Sequence, residues 1–350
     1  MDKKVTIQDI ADALDLSRNT VSKAINNSEG IAESTKEMIL NKAVEMGYKQ
    51  FSYVKDFLLT SGGSDVNRDT ADSGPKEIAL LTAGAVNNSH FASLMLDNFT
   101  HEIQQLGFSL VTYRISAQNL EQQTLPRAFM KDNTRAVMCI EVFDRTYSDM
   151  ICSLGLPTLF IDCAPMEKGK TVNADLLLMD NIAGIMEFIS VMAAKGVRRF
   201  GFIGDYTHCQ SFYERYLAFR AGLLNEGLEA EKRFIIAPQG GNVDDMADRL
   251  EHLQELPEVF ICANDFVAID AMLILRSIGV RIPEDVRFLG FDDSPESRAF
   301  DPVLSTVRIH TQDMAFSAVQ LLISRIKEPN METRTVHVAS DLILRKSSEI

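Results

Sequence analysis

The sequence predicts an α/β protein: a three-helix helix-turn-helix head at the N-terminus, then two doubly wound parallel α/β subdomains. Three observations carry that expectation. The first fifty residues place apolar side chains at helical spacing. Ser61 to Pro75, SGGSDVNRDTADSGP, holds almost no large apolar side chain and reads as a flexible linker. Beyond Lys76, near-continuous apolar runs alternate with amphipathic segments, the pattern of parallel strands covered by helices on both faces. The expected division is head and hinge at 1–60, linker at 61–76 and body at 77–350.

In the head, the first helix is TIQDIADAL. Ile7, Ile10, Ala11 and Leu14 fall on one face, and Thr6 with Asp9 three residues on supplies its cap. The turn DLS follows, where Asp15 tolerates a left-handed conformation. The second helix starts at Ser17, a good N-cap, and ends near NNSEG. Its apolar side holds Leu16, Val21, Ala24 and Ile25, and its other side is polar. The third begins at STKE, where Ser34 and Glu37 make a capping box, continues through Ile39, Leu40, Ala43 and Val44, and stops at Gly47. The short apolar stretch FSYVKDFLLT precedes the linker.

In the body, the strand-like runs are IALLT, SLVTYRI, AVMCIEVF, PTLFIDC, RFGFIG, RFIIA, EVFICA and VRFLGF. Segments such as FASLMLDNFTHEIQQLG and NIAGIMEFISVMAAKG separate them. There are too many strands for one small unit, so two subdomains are expected.

Composition narrows the function. The 350 residues are 46% apolar, and no apolar run is long enough to span a bilayer. The opening MDKKVTIQDI lacks the apolar stretch of a signal peptide, so a cytoplasmic protein without membrane partners is expected. Its five cysteines form no C-x-x-C and read as free, mostly buried thiols. The net charge of −14 sits almost wholly outside the head: the first 59 residues carry eight basic and nine acidic side chains. An acidic body leaves room for a DNA-binding head, because phosphate contact depends on the field within about 10 Å.

Two helices joined by a tight turn, the second starting with short polar residues, form a helix-turn-helix whose second helix enters the major groove. There Arg18 can fork onto guanine and Asn19 can pair with adenine, while Ser17, Thr20 and Ser22 are short enough to reach phosphates. An ordinary solvated helix face has the same residue types. For catalysis the sequence offers no G-x-S-x-G, Walker loop, G-x-G-x-x-G or H-E-x-x-H, and its six histidines are scattered. No enzyme, no metal and no cofactor are expected. GFIGD reads as a strand end, and Asp292-Asp293 as a turn after a strand.

The segment VTIQDIADALDLSRNTVSKAINNSEGIAESTKEMILNKAVEMGY resembles the head of the LacI/GalR family of bacterial repressors. The likeness continues at MDNIAGIMEFISVMAAKGVRRFGFIGD, YERYLAFRAGL, FICANDFVAIDAMLILRSIGVRIPEDVRFLGFDDS, PVLSTVRI and LILRKSS. It implies a periplasmic-binding-protein type I-like body and a transcription regulator, expected to be a repressor, that binds double-stranded operator DNA as a homodimer under a small-molecule effector. A sugar is the expected effector, and a purine or other metabolite is the alternative. By position, the resemblance gives base reading to Arg18, Asn19 and Lys23, and backbone contacts to Ser17, Thr20, Ser22 and Asn26. It puts Arg215 and Asp265 in the effector pocket with Asn88 and Phe91, although the residue types also suit a surface ion pair for Arg215 and a helix cap for Asp265. The family's crossover pattern implies subdomain one at 77–164 and 285–311, and subdomain two at 165–284 and 312–350. The chain departs from the family after Tyr48, where KQFSYVKDFLLT replaces the usual hinge; Phe57 and Leu58 are the candidates there for a minor-groove wedge. The closing LILRKSSEI carries no heptad extension, so a dimer is expected rather than a tetramer.

Overall fold

The computed structural model describes residues 6–25, scattered positions between 32 and 46, residues 76–84 and residues 90–349. The chain divides into two compact units, Met1–Ser73 and Gly74–Ile350, each with its own core.

In the first unit, α1 (Ile7–Leu14) begins at the expected capping box: Thr6 Oγ1 accepts from the Asp9 amide, and Asp9 returns a carboxylate to the Thr6 amide at 2.7 Å. The helix ends at Asp15, whose φ of 53° is left-handed. Ser17 Oγ then accepts from the Thr20 amide at 3.0 Å and starts α2 (Arg18–Ile25). Ile10, Ala11, Val21, Ala24 and Ile39 are buried together. The expected Ser34–Glu37 capping box, the stop at Gly47, the hinge segment and the linker lie outside the described residues.

The second unit starts with β1 (Glu77–Thr82), α3 (His90–Gln105), β2 (Ser109–Arg114), α4 (Ala117–Gln122), β3 (Thr134–Ile140), α5 (Arg145–Cys152), β4 (Thr158–Ile161) and β5 (Asp175–Met179). After these come α6 (Ala183–Ala194), β6 (Phe200–Ile203), α7 (Gln210–Asn225), β7 (Ile235–Ile236), α8 (Val243–Glu251), β8 (Val259–Cys262), α9 (Asp265–Ser277), β9 (Arg287–Leu289) and α10 (Pro295–Ala299). The chain closes with β10 (Thr306–Ile309), α11 (Thr311–Lys327), β11 (Thr335–Val338) and β12 (Ser340–Ile343).

Two parallel sheets result. The first has the order β11-β5-β4-β3-β1-β2 and the second β7-β6-β8-β9, while β10 and β12 pair antiparallel. The inner strands are buried on both faces, as their apolar runs require. Helix α11 packs on α3 against the first sheet, and α6 packs on α7. Among the described residues no helix is long and apolar enough to cross a membrane.

The subdomain boundaries differ from those expected. Strand β9, at 287–289, pairs with β8 in the second sheet, so 285–311 is not the return to subdomain one. The first sheet instead gains β5 and β11, within 165–179 and 312–338, which had been expected in subdomain two. A buried ion pair fixes the return: Asp175 on β5 holds Arg325 of α11 at 2.7 Å and accepts from the Arg334 amide at 2.8 Å. The chain thus crosses between the halves near 180–182, at 310 and at 339.

Candidate DNA-binding and effector sites

On α2, packing of Val21 and Ala24 into the small core turns Arg18, Asn19 and Lys23 to solvent. Ser17 is exposed, and Thr20 and Ser22 are half-buried. Ser17 and Thr20 share a hydroxyl hydrogen bond of 2.8 Å, which holds both oxygens at the helix start. These six candidates therefore lie along one capped helix. Asn26, Phe57 and Leu58 lie outside the described residues.

In the body, a cavity of about 530 Å³ opens between the two halves at the carboxyl ends of the strands. The first half contributes Phe91 from α3, Glu141 after β3 and Asp162 after β4; the second contributes Arg215 of α7, Asn264 after β8 and Asp292 after β9. Arg215 is 2% exposed. Its Nε donates to Asn181 Oδ1 at 3.0 Å and its Nη1 to the Ala263 carbonyl at 2.6 Å, and its guanidinium lies 3.5 Å from the Phe291 ring centroid. That leaves Nη2, which faces Asp292 at 3.8 Å, beyond hydrogen-bond reach.

Burial lifts the Asp292 carboxyl to about 7, with Arg215 opposing the rise and the Asp265 carboxylate adding to it. Asp162 is also raised by burial, although its Oδ1 accepts from the Cys163 and Ser211 amides at 2.8 and 3.1 Å. Asn264 caps α9 by accepting from the Val267 amide at 2.9 Å. Phe143 and His208 meet edge to face at 4.8 Å on the aromatic part of the wall. The arrangement offers one arginine donor, several carboxylate acceptors and apolar rings, which suits a small hydroxyl-bearing ligand.

Two of the four predicted pocket residues, Arg215 and Phe91, line this cavity, and Asn88 lies outside the described residues. Asp265 does not line it. Its Oδ1 accepts from Thr306 Oγ1 at 2.6 Å and its Oδ2 from the Ser294 amide at 2.8 Å, so it is a buried brace. The helix cap suggested for it belongs to Asn264. Sequence reasoning missed Asp292, which it had read as a turn, along with Glu141, Asp162 and Asn264. Each follows the end of a strand by one to three residues, and the rule that open α/β sheets bind ligands at their strand ends would have found them.

Comparison with known proteins agrees with both parts. Residues 6–50 match the family described as bacterial regulatory proteins, lacI family, and residues 189–348 match the periplasmic binding protein-like domain. The HTH-type transcriptional regulator GalR of Lacticaseibacillus casei is 27% identical, over 98% of this chain and 99% of its own. The ribose operon repressor of Haemophilus influenzae is 25% identical, over 98% of each chain. A transcriptional regulator CelR–cellobiose complex superposes with a TM-score of 0.67 at 20% identity, covering 99% of this chain and 100% of that one. The lac repressor dimer bound to operator and the anti-inducer ONPF gives 0.68 at 17% identity, with the same coverage. The two family models, together with curated relatives that run the whole length of the chain, place it in the LacI/GalR family of bacterial transcription regulators.

Proposed function

We propose that this cytoplasmic regulator is a repressor that binds a near-palindromic operator as a homodimer and responds to a sugar-like effector in the cleft. Arg18, Asn19 and Lys23 read bases, and Ser17, Thr20, Ser22 and Asn26 hold the backbone, with Phe57 and Leu58 as the minor-groove wedge. The observation that carries the effector reading is the buried Arg215, which keeps one unbonded nitrogen towards Asp292 in a cavity large enough for a small ligand. Hydroxyls, which both donate and accept, can answer the guanidinium and the carboxyl of that pair together. Effector binding favours one closure of the cleft, and that differential affinity is what shifts the regulator between states.

An exposed apolar side chain on α9 supports dimerisation through the body: Leu273 is 51% exposed. Leu273→Glu should yield monomers in light scattering, and an unchanged dimer would move the interface elsewhere. The cleft is read as binding without turnover. Cys209 lines it, but burial pushes that thiol well above its usual range, away from the thiolate a nucleophile needs.

The head is tested on an operator selected from random-sequence DNA. Arg18→Ala should weaken binding to it by about 1–3 kcal/mol and relax the preference at one base pair. Thr20→Ala should weaken operator and scrambled DNA alike at the same salt. Equal losses on both DNAs for Arg18→Ala would remove its base-reading role.

A further inference from the structure

The wall of the cleft is lopsided in charge. Glu141, Asp144, Asp162 and Asp292 line the cavity, against Arg215 and a histidine, His208. Asp144 and Asp162 each spend an oxygen on backbone amides. Glu141 does not: among the described residues no hydrogen bond or ion pair reaches its carboxylate, and burial alone raises its pKa. Two further arginines, Arg298 and Arg308, line an adjoining chamber that Glu141 also borders, but both bind Asp293, at 2.7 Å each. They are committed elsewhere.

The backbone aims Glu141. It follows β3 directly and has a φ of 56°, a left-handed conformation rare for a side chain of this kind. Its carboxylate occupies the space that a Cβ on Gly84 would fill, so the glycine makes room for it. Phe91 and Phe143 line the same cavity. A half-buried carboxylate without a partner among the described residues, in an acidic, ring-lined cavity, is matched by a ligand that brings a positive charge and N–H donors. The buried Arg215 Nη2 is an independent feature of the same cavity, and it asks for an oxygen acceptor on the same ligand. A phosphate or carboxylate on the ligand would be repelled by the excess of acidic groups.

We propose that the effector is a cationic amino sugar, with Glu141 receiving the ammonium group while Arg215 and Asp292 take hydroxyls. This rests on the reading of the cleft as the effector site. Glu141 then decides the charge class of the ligand, and Gly84 leaves the space its carboxylate occupies.

The test uses the full-length protein near pH 7 and calorimetric titration with glucosamine, galactosamine and mannosamine. Each is compared with its parent hexose, its N-acetyl form and its 6-phosphate. At least one amine should bind about tenfold or more tighter than all three of its counterparts, the scale of a buried charge pair. In Glu141→Gln that preference should fall to within about twofold, read as the ratio of amine to parent-hexose affinity in the same variant. If that variant melts early, Glu141→Asp, which keeps the charge, should retain part of the preference. The amine reading is overturned if no amine binds, if a hexose or a phosphate binds as tightly, or if the preference survives in Glu141→Gln. Asp292→Asn separates the two readings. A neutral or anionic ligand that this substitution abolishes leaves the cleft as the effector site and sinks only the amine. A ligand indifferent to it removes the cleft itself.

Discussion

Asp265 and Asp292 are both carboxylates next to a strand end, yet they do opposite work. Asp265 has both oxygens bonded inside the second half, to Thr306 and the Ser294 amide. Asp292 has, among the described residues, only Arg215 as an ion-pair partner, at 3.8 Å, and it faces the cavity. In Asp265→Asn one acceptor oxygen remains where two donors now bind, at a cost of about 1–3 kcal/mol. Urea denaturation should show that loss, with effector affinity retained at low denaturant. Asp292→Asn should do the reverse. A carboxyl raised in the folded state favours the protonated form, so it contributes less to stability as pH climbs from the unfolded value through about 7. Removing its charge should therefore leave stability unchanged or higher at pH 7.5 while abolishing the effector response. A large loss of stability in Asp292→Asn would show that the carboxylate braces the fold. The sequence could not separate these two aspartates. Their identity is the same, and what differs is that Ser294 and Thr306, some 30 to 40 positions beyond Asp265, fold back onto it and leave Asp292 to the cavity.

At the scale of elements, most strands with apolar runs were legible, but the buried β5, DLLLM, and the edge strand β11 were not. Strands β4 and β8 are buried throughout and β3 at all but Arg135, and all three were read directly from their residues. The edge strand β11, TVHV, is exposed at alternate positions and only four residues long, which left no run to detect. Missing it and β5 misplaced the return crossover, which the Asp175–Arg325 pair fixes by a contact 150 residues apart. The head was more legible, because its signals are local: Thr6 and Ser17 cap the helices they were expected to cap. Strand β6, FGFI, offers a test of close approach between strands. Gly201 stands opposite Phe260 of β8, and a Cβ there would overlap the Phe260 ring and lie 2.9 Å from the Phe234 carbonyl. A ring and a backbone oxygen leave no cheap way to yield. Gly201→Ala should destabilise the body by about 1–3 kcal/mol, read as a lower urea midpoint with an unchanged slope. A stabilised variant would mean that the strand gives way and gains only the entropy of losing a glycine.

The whole body works as two halves joined by three crossings, and a polar chain spans them beside the cavity. His337 on β11, in the first sheet, lies 3.5 Å from Glu214 of α7 in the second half. Glu214 also accepts from Asn181 at 2.8 Å, and Asn181 accepts from Arg215, which lines the cavity. Glu214 raises the pKa of His337, against its partial burial. Burial would lift Glu214, but hydrogen bonds from His337, Gln210 and Asn181 hold it below its usual value. The two shifts define a window. The histidine's contribution is complete below about 6.5 and disappears as pH rises through its higher folded value. The glutamate's is complete above about 4.5 and disappears as pH falls through its lower folded value. The ion pair should thus hold the halves together best between about pH 4.5 and 6.5. His337 is 42% exposed, and solvent screening keeps the pair to about 1 kcal/mol or less. Denaturation midpoints of wild type and His337→Gln, measured from pH 5 to 8.5, should differ most near the acidic end and converge at the alkaline end. Because the same chain touches Arg215, the substitution should also change how strongly effector binding depends on pH. A difference between the two proteins that stays constant across the range would show that His337 acts by packing alone, and that its charge takes no part in coupling the halves.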